Sequence, residues 1–157
     1  MRHARGTIVV AGLLAFMCLG DAPAPAVAGQ VQMSPVDLVQ TTLNAPGKVR
    51  IGKKFRIMDE LESVGDSAAS MSVTYFYLSK DDKVDDTDIV IAGRRVPPLP
   101  AGRVHQEFTT ATIPATVEPG AYFLIVRANA TRTVDERYLD NNTRATKIVV
   151  EPAEVKK

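Results

Sequence analysis

An all-β fold, a seven-stranded immunoglobulin-like β-sandwich, is predicted for this chain on three observations. Short runs rich in β-branched and aromatic residues recur along the sequence at roughly 10–16-residue spacing. Each run is closed by a cluster of Gly, Pro, Asn or Asp. Beyond an apolar stretch near the N-terminus, no segment sustains the 3.6-residue periodicity of an amphipathic helix.

The first 28 residues lie outside that fold. Arg2, His3 and Arg5 make a short basic start, and Thr7–Leu19 is an unbroken apolar run, well short of the ~20 helical residues that span a bilayer. Ala26-Val27-Ala28 then supplies a small-x-small cleavage signal. This is the plan of a secretory signal peptide cut after Ala28. The mature chain is therefore expected to be exported, periplasmic or extracellular, with no stable membrane insertion after cleavage. Cys18 as a lipoprotein anchor is the rival reading. It lacks the small residue that lipidation needs just before the cysteine, because Phe16 and Met17 stand there.

Export changes the composition. The full chain of 157 residues has a formal net charge of +1, one Cys and two His. Removing residues 1–28 takes away Cys18 and His3 and leaves a neutral domain, so neither a disulfide nor a Cys/His zinc site can form. With opposite charges balanced, a nucleic-acid partner is not expected; Arg94-Arg95 is too short a basic patch to argue for one. Residues 29–35 read as a linker, 36–151 as the domain and 152–157 as a frayed tail.

The strands follow in order. Val36–Leu43 ends at Asn44-Ala45-Pro46-Gly47, and Phe55–Ser63 ends at Gly65-Asp66-Ser67. Ser72–Ser79 runs into a string of acids, and Asp88–Val96 stops at Pro97-Pro98-Leu99-Pro100, where missing N–H donors forbid a central strand. Arg103–Ile113 stops at Pro114, Tyr122–Ala130 begins after Pro119-Gly120, and Thr143–Glu151 stops at Pro152. Alternation sets Phe55, Ile57 and Leu61 inward, and sends Asp59 inward with them. In the fifth strand it groups Val104, Phe108 and Thr110 against an outward His105 and Glu107, a pair expected to form a surface salt bridge. The sixth strand is apolar on both sides, as in a strand at the centre of a sheet. Tyr122, at its start, occupies the place of a tyrosine corner.

Several spaced blocks carry a family likeness: Asp37-Leu38-Val39, Phe76-Tyr77-Leu78-Ser79-Lys80-Asp81, Pro98-Leu99-Pro100-Ala101-Gly102, Glu118-Pro119-Gly120-Ala121-Tyr122 and Asp140-Asn141-Asn142-Thr143, in that order. The chain resembles CARDB, the cell-adhesion-related domain found in bacteria, over about residues 36–151. The resemblance implies an Ig-like fold in exported proteins that serves as a binding or spacer module without catalytic residues. The chain departs from the family pattern in standing as a single copy and in placing Asp59 where that pattern is apolar or small.

Three features are candidate sites. The resemblance implies that Phe76 and Leu78 point inward, which would set Tyr75 and Tyr77 outward; with Tyr122 and Leu124 inward on the neighbouring strand, Phe123 and Ile125 would join them in an aromatic stripe for a protein, a cell-surface polymer or self-association. Asp81, Asp82, Asp85, Asp86 and Asp88 place five carboxylates in one loop. Calcium takes six to eight oxygens, so a calcium-dependent adhesion module is an alternative, although the EF-hand spacing is absent. The bland reading of the same loop is a set of turns made by Asp side chains. Asp59 is a carboxylate on a core position, either matched by an Arg or hydroxyl partner, turned outward by a bulge, or placed there as a switch or ligand contact; buried and unpaired, it would cost several kcal/mol. A spacer in an envelope assembly is a further alternative. No Ser/His/Asp or Cys/His arrangement and no Gly-rich phosphate loop argues for an enzyme.

Overall fold

Burial alternates along most of the runs, and the strands form where that alternation lets one face leave water. In the computed structural model, which describes residues 34–154, eight strands follow one another. They are β1 (Leu38–Asn44), β2 (Lys48–Arg50), β3 (Lys54–Ser63), β4 (Ser72–Ser79), β5 (Ile89–Val96), β6 (Val104–Thr112), β7 (Gly120–Arg127) and β8 (Thr143–Glu151). Segment 1–28, expected to be a signal peptide, lies outside the described residues.

A three-stranded sheet, β1-β3-β6, packs on a five-stranded sheet, β2-β8-β7-β4-β5. The seven expected strands are present. The eighth, β2, is a three-residue strand that pairs in parallel with β8, Val49 opposite Val150. Gly52, at φ 73°, then turns the chain into β3. β7 lies between β4 and β8 and buries Tyr122, Leu124, Ile125 and Val126. The Tyr122 hydroxyl donates to the Glu118 carbonyl at 2.9 Å, which makes the tyrosine corner. Tyr122→Phe is expected to cost about 0.5–1.5 kcal/mol, read as a lower urea midpoint with an unchanged m-value.

The interior has two apolar clusters with a polar layer between them. One gathers Ile57, Phe76, Leu78, Leu124, Val126 and Ile148, the other Leu38, Leu61, Val96, Leu99 and Ala128. Between Ile57 and Leu61 on β3 the inward residue is Asp59, between Ala92 and Val96 on β5 it is Arg94, and on β4 it is Thr74, buried next to Phe76. Asp59 is therefore inward, as expected, with no exposed surface.

Two expectations change. β6 faces the other way: its register sets Thr109 opposite Ile57 and His105 opposite Leu61, so the odd-numbered residues point inward. Phe108 lies outside, 53% exposed, with the Arg56 guanidinium 4.1 Å from its ring centre. Because β6 is a sheet edge, its inward face opens to solvent towards its start, where Glu107 is exposed and His105 half-buried. Glu107 accepts from the Phe108 N–H at 2.8 Å and makes no ion pair with His105. The second change is at the C-terminus, where Glu154 pairs with Lys53 at 2.6 Å and Arg50 at 3.3 Å. The start of the tail is thereby tied to the β2–β3 turn.

Candidate binding face

Every second residue of β4 and β7 points away from the core. The register places Tyr77 beside Ile125, Tyr75 beside Arg127, and Phe123 between Ser79 and Lys147. The four expected residues thus share the outer face of the five-stranded sheet. They do not form a continuous exposed stripe. Ile125 has no exposed surface and Tyr77 only 8%, while Tyr75 and Phe123 are half-buried. The reason is local packing. The Tyr75 and Tyr77 rings meet edge to face at 6.3 Å, and Tyr75 lies over Gly93 on β5, where a Cβ would come within 2.7 Å of the ring. Ile125 sits one strand over, next to Tyr77. Burial pushes the Tyr77 phenol above its ordinary pKa, against the pull of nearby Arg127.

At the Phe123 end the face becomes concave. An apolar pocket of about 380 Å³ is lined by Tyr122, Phe123, Ala121, Val149, Lys80 and Lys147, among others. That volume falls within the ~300–1,000 Å³ of ordinary ligand clefts. The Lys80 ammonium stands 3.5 Å from the Tyr122 ring centre and that of Lys147 5.8 Å from Phe123. Neither lysine belongs to an ion pair among the described residues. Sequence reasoning reached Phe123 but neither lysine, because Lys80 lies past the end of β4 and meets Tyr122 only through the fold.

The acidic loop after β4 uses its carboxylates to build turns. Asp81 Oδ1 accepts from the Lys83 N–H at 2.9 Å. Asp85 Oδ1 accepts from the Thr87 N–H at 2.7 Å and the Thr87 hydroxyl at 2.6 Å, and Asp88 Oδ2 accepts from the Asp85 N–H at 3.0 Å. The bonds to Thr87 hold the Asp85 carboxyl below its ordinary pKa. Asp82 and Asp86 are exposed. Among the described residues no three His, Cys, Asp or Glu side chains converge as a metal site would require.

Asp59 has a partner. Arg94 Nη2 lies 2.7 Å from its Oδ2, and Gln40 Nε2 donates to the same oxygen at 2.8 Å. Arg94, read in the sequence as half of a minor surface patch, is the counter-ion of the core. The geometry is that of a structural ion pair.

A second polar centre was not visible in the sequence. Glu136, in the loop after β7, accepts from the Leu38 N–H at 2.8 Å and from the side-chain amides of Asn129 at 2.6 Å and Asn142 at 2.7 Å. Asn129 is buried at φ 44°, and its side chain also donates to the Val134 carbonyl and accepts from the Thr133 and Val134 N–H groups. Nothing in a stretch without periodicity marks this arrangement; the only signal was the pair Asn141-Asn142 at the entry to the last strand.

The comparisons with known proteins agree with this architecture. A family model described as CARDB matches residues 35–146. No curated protein sequence matches the chain. Among solved structures, the chain is similar to the CARDB domain of a Pyrococcus furiosus protein, crystallised in complex with di-metal ions. The identity is 15%, the TM-score is 0.57, and the match covers 77% of this chain and 93% of that one. It is also similar to a domain of a putative cell surface protein from Methanosarcina acetivorans, with 19% identity and a TM-score of 0.57 over 75% of this chain and 94% of that one. At these identities the likeness speaks for the fold alone.

Proposed function

From the premise that this chain belongs to the CARDB family, whose domains are generally non-catalytic binding or adhesion-type modules in extracytoplasmic proteins, we propose that it is an exported binding domain. It recognises a protein or surface polymer through the outer face of β4, β7 and β8. The observation that carries this reading is the concave apolar pocket at Phe123, open on the outer face and flanked by two lysines outside any ion pair. A module serving only as a spacer has no use for such a pocket. The acidic loop is assigned to turn formation, and millimolar calcium is expected to leave the melting temperature unchanged. A calcium-dependent rise in melting temperature would restore the adhesion alternative at Asp81, Asp82, Asp85, Asp86 and Asp88.

Crosslinking and pull-down from an envelope fraction tests the face. Wild type is expected to capture a partner, or a second copy of itself, that the Tyr75→Ser/Phe123→Ser variant loses while keeping its fold. The same capture by both proteins would remove this face from consideration.

A further inference from the structure

Resting on the reading that this face binds, we infer that its ligand is an anionic polysaccharide. The inference comes from which side chains the sheet register sets outward. Lys48 on β2 pairs with exposed Val149, Lys147 pairs with Phe123, Arg127 stands beside Tyr75, and Arg95 pairs with Val73 on the edge strand. Lys48, Lys147 and Arg95 are exposed and Arg127 is half-buried. None of the four is in an ion pair among the described residues. The one carboxylate at a registered outward position of these strands, Glu151, is already held by Arg50 at 3.1 Å.

These cations climb diagonally across the sheet from β2 to β5, with the half-buried rings of Phe123 and Tyr75 between them. Neighbouring strands are ~4.8 Å apart and successive outward residues ~6.5–7 Å apart. The result is a band of positive charge that carries two partly exposed aromatic rings, one of them at the pocket. An extended polymer of sugar rings bearing carboxylates complements both parts. The apolar face of one ring sits against Phe123 in the pocket, and its carboxylate meets the Lys147 and Lys80 ammonium groups. An acidic peptide would satisfy the charges but offers no regular apolar ring to the pocket, so the sugar polymer fits better.

The test titrates the purified full chain with polygalacturonate, neutral dextran and polyglutamate, each followed by calorimetry at two salt concentrations. Polygalacturonate is expected to bind, and to bind at least tenfold more weakly at high salt, because exposed charges are screened beyond about a Debye length. Lys48→Glu/Lys147→Glu, two exposed substitutions, is expected to reduce that affinity at least tenfold without a change in melting temperature. Dextran should not bind. No binding of polygalacturonate, or binding that this variant leaves unchanged, would overturn the inference; equal affinity for polyglutamate would reassign the face to acidic proteins. If the polysaccharide fails while Phe123→Ser still abolishes envelope crosslinking, the binding face stands and only its ligand class falls. If Phe123→Ser leaves crosslinking intact, the face itself is wrong.

Discussion

Asp59→Leu is expected to lower the unfolding free energy by about 3–5 kcal/mol, the cost of leaving one charge of a buried pair without its counter-ion. Arg94 would then remain between the two apolar clusters, its side chain only 11% exposed and its contact with Oδ2 gone. Gln40 would lose the same acceptor. Arg94→Met is expected to cost about as much by the converse route, leaving the carboxylate to Gln40 alone. The double variant separates the pair's net worth from the penalty of breaking it. Two well-packed apolar residues at this level can be neutral or stabilising relative to a buried ion pair. Asp59→Leu/Arg94→Met is therefore expected to recover most of the loss, with a total far below the sum of the single variants. Urea unfolding of the four proteins closes the cycle. Additive single-variant losses would show that Asp59 and Arg94 stabilise the fold through separate contacts.

Why the pair exists is a matter of position. β5 is an edge strand, and its first residues, Ile89 and Val90, are exposed. Exposed edges invite pairing with other chains, and an inward-pointing charge is one of the devices that blunt them. Arg94 makes β5 costly to slip by one residue, since a slip would drag the guanidinium off Asp59 and turn Val96 out of the core. The bulge in the β4–β5 ladder between Phe76 and Tyr77 adds a second irregularity to the same edge. An edge so marked fixes the register of β4 and with it the outward setting of Tyr75 and Tyr77.

The elements were legible in the sequence where turn chemistry punctuates alternation. Ser72–Ser79 and Thr143–Glu151 match their strands at both ends. β2 was not, because the four residues between Gly47 and Gly52 are too few to display a period. Parity failed in β6 for a different reason: on an edge strand the inward face is only partly covered, so Phe108 and Thr109 offer no contrast that a pattern can use. At the candidate site, the family likeness, which set Phe76 and Leu78 inward, gave the side of the sheet for Tyr75, Tyr77, Phe123 and Ile125 but not their accessibility. An outward side chain can still be buried by its neighbours on the same face, as Ile125 is. Asp59 could be recognised as anomalous from its own strand. Its partner lies in the other sheet, and only the packing of the two sheets brings Arg94 to it.

The network around Glu136 yields the second large effect, and its sign depends on pH. Burial is the leading influence on this carboxyl and raises its pKa above the ordinary value, with the Asn129, Asn142 and Leu38 donors opposing and Asp37 reinforcing. A carboxylate with a raised pKa binds its proton more tightly in the folded state than in the unfolded chain. Its contribution to stability therefore falls as pH rises from the unfolded pKa through the folded one, and is lowest at neutral pH. On burial alone, removing the charge would help at pH 7, but the hydrogen bonds decide otherwise. All three partners of Glu136 are N–H donors: Leu38 on one oxygen, the two asparagine amides on the other. A glutamine presents one acceptor and one donor, so either orientation sets N–H against N–H. Glu136→Gln is expected to cost about 1–3 kcal/mol at pH 7, the penalty for a buried donor left unsatisfied. It should also remove the rise in stability that wild type shows as the pH drops through the folded pKa of this group. Denaturant melts of both proteins across that range measure the two effects together. A variant as stable as wild type at pH 7 would mean that Glu136 does not secure the start of β1. A loss of stability with the pH slope unchanged would leave the anchoring role in place and assign the slope to another carboxyl.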